Sequence, residues 1–235
     1  MYLHKPGSHV ALVSELSRML LLRLKLPLFL LAVSLLVCAD INPQKMQETM
    51  RIRYGDDGLA LLDAWQRMLA DASRTPEEDK LTLVNQFFNH NVRYTEDALL
   101  WKKTDYWATP LELLGQRAGD CEDYTIAKYL SLLQLGFSNQ QLRLVYVKAQ
   151  IGGTQSKIFQ AHMVLGYYST PDAIPLILDS LINTIEPANK RPDLNPVFSF
   201  NSEGLWIGAK ETNADPTARL SRWRDLLARV REEGF

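Results

Sequence analysis

Cys121, His162 and Asp179 are the residues of this sequence whose types and order suit nucleophilic acyl-transfer chemistry. Cys121 follows Gly119-Asp120 and opens a stretch to about Leu135 whose apolar residues recur at helical spacing. That puts the thiol at a helix N-terminus, where unpaired N–H groups and the helix dipole favour a thiolate and can hold an oxyanion. The ordinary alternative for a free cysteine is a small buried hydrophobe. A base must take the thiol proton, and beyond residue 39 the histidines are His90 and His162. His90 falls at the end of an amphipathic helix beside Phe87 and Phe88 and reads as a helix-end residue. His162 lies inside the strand-like run Phe159 to Leu165, where a polar ring needs a partner, whether for chemistry or for the fold alone.

The turn Ser169-Thr170-Pro171-Asp172 supplies that partner. An antiparallel pairing symmetric about it sets His162 opposite Asp179, with Cβ atoms about 5 Å apart on one face. An aspartate ending the apolar run Ile174 to Leu178 is costly unless paired, and the histidine accounts for it. A slip of one residue would put the two on opposite faces.

Asp120, Glu122 and Asp123 flank the cysteine. Acids in a first helical turn ordinarily complement the dipole and need no metal. Three carboxylates should nevertheless raise the thiol pKa, against the effect of the helix terminus, and a hard cation such as calcium would reverse their effect. The aromatic stretch Trp101, Tyr106 and Trp107 reads as core or as groove lining, with the Trp107 indole N–H a candidate for the oxyanion. The Pro-containing segment 183–196 reads as a polar surface loop.

These residues must be carried by the elements that periodicity predicts. Helices are expected over 43–54, 58–72, from a Thr75 cap to a helix end at His90, from Thr109-Pro110 to near Gly115, from Cys121 to about Leu135, and over about 216–232. Strands are expected over 142–149, 158–168, 174–181, 197–200 and 205–207, with Gly152-Gly153 among the turns. Helices first and an antiparallel sheet afterwards is an α+β arrangement.

The chain of 235 residues is 46% hydrophobic and 23% charged with a formal charge of -1, so it carries no basic excess with which to bind nucleic acid. Its two cysteines exclude a disulfide framework, and no run is apolar for the roughly 20 residues of a membrane-spanning helix. Residues 1–39 differ from the rest: His4, Lys5, Arg18, Arg23 and Lys25 precede the apolar run Leu26 to Val37, and Val37 and Ala39 suit cleavage before Asp40. This reads as a secretory signal, with Met19 a second candidate start; an uncleaved anchor and lipidation at Cys38 are the alternatives. Cleavage would leave 40–235 as one domain with 22 basic and 26 acidic residues, a formal charge of -4, and Cys121 as its lone thiol in an oxidising compartment.

Three segments carry a resemblance closer than chemistry alone. Asp105-Tyr106-Trp107-Ala108-Thr109-Pro110, Gly119-Asp120-Cys121-Glu122-Asp123-Tyr124, and the pair Ala161-His162 with Leu178-Asp179-Ser180 resemble the bacterial transglutaminase-like cysteine proteinases. The similarity covers most of 43–210, and the acidic run around the cysteine is its most specific motif. The resemblance implies a transglutaminase-like, papain-like cysteine protease fold with Cys121, His162 and Asp179 as catalytic triad. It also implies calcium, with Asp120, Glu122 and Asp123 as the expected site. Members of the branch it most resembles act in the periplasm. They cut the N-terminal region of a large surface adhesin at a pair of alanines, releasing biofilm cells, and the periplasmic domain of an inner-membrane cyclic-di-GMP receptor holds them inactive. Two rivals stand beside this expectation: a cross-linking transglutaminase using the same triad, and a non-enzymatic binding module.

Overall fold

The computed structural model describes residues 41–208 and 210–235, and the expected signal segment lies outside them. The compact unit is Asn42–Phe235. Helix α1 (Pro43–Ala72) is capped by the Asn42 side chain, which accepts from the Lys45 N–H, and is broken at Gly55, whose φ of 63° is readily reached only without a Cβ. The break matches the expected division into two helices. Helix α2 (Glu77–Asn91) starts one residue later than a Thr75 cap would set it. Pro76 is the N-cap, while the Thr75 hydroxyl donates to the Ala72 carbonyl and closes the end of α1 instead.

Strand β1 (Arg93–Tyr94) and the short helix α3 (Asp97–Leu100) follow. Helix α4 (Pro110–Gln116) begins with a reciprocal cap: the Thr109 hydroxyl accepts from the Glu112 N–H, and Glu112 accepts from the Thr109 N–H. Strand β2 (Ala118–Gly119) pairs in parallel with β1, a two-residue contact too short to leave a periodic signal in the sequence. It leads directly into α5 (Cys121–Gln134), which is buried at every position from Asp123 to Leu132.

The remainder is the sheet: β3 (Leu142–Ile151), β4 (Ile158–Tyr167), β5 (Leu176–Leu178), β6 (Glu186–Pro187), β7 (Leu194–Phe200), β8 (Leu205–Ile207) and β9 (Lys210–Glu211). Their order is β6-β5-β4-β3-β7-β8-β9, antiparallel throughout. Helices α6 (Pro216–Arg219) and α7 (Ser221–Glu232) replace the single expected C-terminal helix, with the break at Leu220. The fold is thus α+β, as expected.

Alternation sends Leu142, Leu144, Met163 and Leu165 into the main core with the helices, and Val145, Val147, Val164 and Ile177 into a smaller cluster on the other face. The Trp65 indole donates to the Ser131 hydroxyl at 2.9 Å and ties α1 to α5 within the core.

The register of β4 against β5 departs from the symmetric hairpin. Leu165 faces Leu178 and Tyr167 faces Leu176, two residues away from the expected pairing. The connection is longer than the turn 169–172: the Ala173 N–H bonds to the Thr170 carbonyl, and β5 starts only after Pro175. Because the slip is two residues and side chains alternate with period two, each residue keeps its face.

Candidate active site

Asp179 sits where β5 ends, with its side chain fully enclosed, and its carboxylate and carbonyl all have partners. Oδ1 lies 2.8 Å from His162 Nε2 and accepts from the Leu181 N–H at 3.0 Å. Oδ2 accepts from Arg191 Nη2 at 2.8 Å. The Asp179 carbonyl accepts from Asn89 Nδ2 at 2.9 Å and Lys128 Nζ at 3.0 Å. Burial alone would raise the Asp179 pKa, but the bonds from His162, Leu181 and Arg191 hold it at about 2. The histidine and aspartate therefore meet as expected, diagonally across strands rather than directly opposite. With Nε2 engaged by Asp179, Nδ1 is the imidazole nitrogen left to exchange a proton.

Cys121 stands at the first position of α5 and is 5% exposed. The main-chain N–H of Met163, the residue next to His162, favours the thiolate, and the thiol donates to Glu122 Oε2 at 2.7 Å. Burial, then the Glu122 carboxylate, pushes the thiol well above its ordinary range, in the direction expected of the acidic run. The Thr125 hydroxyl bonds the carbonyls of both Cys121 and Met163, pinning the start of α5 to β4.

The acidic run is joined at Asp120. Asp120 belongs to two groups, one with Cys121 and Glu122, which also accepts from the thiol, and one with Asp97 and Asp123, and in each group the ligand atoms lie within 4.8 Å of one another. Asp97 was not anticipated. The parallel pairing of β1 with β2, extended by the Thr95 N–H to the Gly119 carbonyl, brings residue 97 beside residue 120, and nothing local in Thr95-Glu96-Asp97 announces it. Asp123 accepts from the N–H groups of Ala108 (2.7 Å) and Asp120 (3.2 Å), and Asp97 Oδ2 accepts from the Tyr106 N–H. By contrast, Asp97 Oδ1 and Asp120 Oδ1 are buried and have no partner among the described residues. Burial and the neighbouring carboxylates raise all three acids, Asp120 to about 9. Two orphaned carboxylate oxygens within a cluster of hard oxygen donors fit a calcium ion, whose remaining ligands would be carbonyls or water.

Arg191 was also missed, since it lies in the segment read as a surface loop. It is 8% exposed, bridges Asp179 and Asp193, and has a raised pKa: burial opposes its charge, and the hydrogen bonds it donates to both carboxylates outweigh that. Only the need of a buried Asp179 for a second partner could have signalled it. Trp107 is buried, stacks on Phe200 at 5.8 Å, and its indole N–H has no partner among the described residues.

A family model described as bacterial transglutaminase-like cysteine proteinase matches residues 64–192. A search of the curated proteins finds no match. Among solved structures, Legionella pneumophila LapG is similar, with 37% identity and a TM-score of 0.69, covering 81% of this chain and 98% of that one. An EGTA-treated form of the same protein gives 37% identity, a TM-score of 0.70 and the same coverage. A calcium-bound form gives 37% and 0.68, covering 81% of this chain and 99% of that one.

Proposed function

The chain belongs to the bacterial transglutaminase-like cysteine proteinases, and from that premise we propose that it is a calcium-dependent endopeptidase with Cys121, His162 and Asp179 as its triad. The observation that carries this reading is the enclosed His162–Asp179 pair, with Cys121 pinned beside it through the Thr125 hydroxyl, which bonds the carbonyls of Cys121 and of Met163, the residue next to the histidine. Cys121 Sγ attacks the peptide carbonyl carbon, and its proton passes to His162 Nδ1. Asp179 holds the imidazole and stabilises the imidazolium. The leaving amine takes the proton, and water then hydrolyses the thioester. Release of the thiol from Glu122 is part of activation, because a thiol donating to a carboxylate is poorly placed to donate to histidine.

Asp97, Asp120 and Asp123 would hold the calcium ion, and the similarity to a relative solved both calcium-bound and EGTA-treated supports that choice of cation. Bound there, the ion supplies positive charge that offsets the acids around the nucleophile and rigidifies the loop presenting it.

The substrate we propose is the N-terminal region of a large surface adhesin, cut at a pair of alanines. The proposed regulator is the periplasmic domain of a cyclic-di-GMP receptor. Both rest on the family resemblance, and a periplasmic location rests on the signal-like residues 1–39.

The test is the intact mass of an adhesin N-terminal fragment after incubation with the purified protein, with calcium and with a chelator. Two pieces summing to the parent plus one water, formed only with calcium and absent with Cys121→Ser, are expected. A cross-linked product of higher mass would replace hydrolysis by amine transfer, and an unchanged fragment would remove the protease reading.

A further inference from the structure

Strand β4 pairs with β3 along its whole length, Ile158 to Tyr167, without a register shift, but with β5 only over Leu165 to Tyr167. On the β5 side, its run from 158 to 163 has no strand beside it among the described residues. In an antiparallel ladder the main-chain groups of successive residues point alternately to one neighbour and the other. Two contacts fix the phase. The Tyr168 N–H bonds to the Gln141 carbonyl, on the β3 side, so even-numbered residues turn inward. Met163 turns outward: its carbonyl accepts from the Thr125 hydroxyl on α5.

The same alternation aims the N–H and C=O of Ala161 and Phe159 outward, and no other group among the described residues bonds them. Residues 158–161 are exposed at every position, with Ile158 at 68% and Phe159 at 52%. The nucleophile thus stands at one end of an unpaired strand edge. Ala161 lies two residues from Met163, about 7 Å along the strand.

We propose that the open edge of β4 at Phe159 and Ala161 binds the substrate polypeptide as an added β-strand, delivering its scissile carbonyl to Cys121 beside Met163. The substrate class is therefore an extended, non-helical segment held through its main chain, with side chains contributing less than backbone geometry. A folded helix cannot offer these bonds, because its own N–H and C=O groups are already paired. Proline is excluded wherever an edge-facing substrate N–H is required. The inference rests on Cys121 being the nucleophile.

The test uses a soluble ten-residue peptide centred on Ala-Ala, with single N-methyl groups placed at each amide in turn, and cleavage followed by mass. N-methylation should slow cleavage about tenfold or more at alternate amides on one side of the scissile bond and little at those between, since alternate residues face the edge. On the protein side, Phe159→Pro removes an outward N–H without touching the β3 ladder, a position where a strand tolerates proline. It should slow cleavage about tenfold relative to Phe159→Ala, which loses the ring but keeps the N–H, with thermal stability alike in the two. If the peptide is cut but N-methylation shows no alternation, or Phe159→Pro equals Phe159→Ala, the edge proposal falls and the nucleophile assignment stands. A parent peptide that is not cut at all removes both.

Discussion

At the residue scale the site turns on how Asp179 is held. Its carboxylate has one oxygen for His162 and the other for Arg191, so the guanidinium sets the plane in which the aspartate meets the ring. If His162 is the base as proposed, Arg191→Gln should lower kcat by about tenfold or more with KM little changed, because it loosens the carboxylate that orients the imidazole without touching substrate. The acidic limb of the rate profile should also move upward, since a bond holding the carboxyl low is lost. A profile and kcat like those of the unaltered enzyme would show that His162 and Leu181 alone suffice. At this scale the placements of Cys121 at a helix start, His162 within a strand and Asp179 just after one were legible in the sequence because these are local properties. Asp97 and Arg191 were not, because each is brought in by a chain path, one through a two-residue parallel pairing and one through an irregular loop.

At the element scale, α5 is fixed to its surroundings by more than apolar packing. Lys128, two turns beyond Cys121 on the same face, is 1% exposed, and its ammonium donates to three neutral oxygens: Asn85 Oδ1 at 2.7 Å, Asn89 Oδ1 at 2.8 Å and the Asp179 carbonyl. The helix that opens at Cys121 is thereby tied to the strand end that carries Asp179. Burial lowers the Lys128 pKa to about 7, below its unfolded value near 10.4. The unfolded chain then binds more protons between those values, so this stability contribution is complete above the unfolded pKa and is lost as pH falls through about 7. The melting temperature of the unaltered protein, measured against Lys128→Met, should therefore fall progressively as pH drops from 10 to 7; a constant difference would mean the lysine stays charged throughout. The step from β2 into α5 has a different constraint. A Cβ on Gly119 would stand 2.5 Å from Leu113 Cδ1 and 2.6 Å from Asp123 Oδ2. Gly119→Ala should thus displace Asp123 and reduce the rise in melting temperature that calcium produces, a readout independent of cleavage. An unchanged calcium effect would place the ion away from Asp123.

At the scale of the whole molecule, helices first and sheet second was legible from periodicity because the long elements each bury one face or stripe. The hairpin register was misjudged by two residues, as a turn motif marks where a chain reverses but not how many residues precede the next ladder. The even size of that slip is why the histidine still finds its aspartate. The bare edge of β4 has a cost for the molecule in solution as well. Unsatisfied main-chain groups flanked by Ile158 and Phe159 form a template on which another copy could dock edge to edge and begin an aggregate. Lys157, exposed immediately before them, is the kind of charge that discourages such stacking. Light scattering at high concentration should rise faster for Lys157→Val than for the unaltered protein, and equal rates would mean that the edge is guarded by something other than charge.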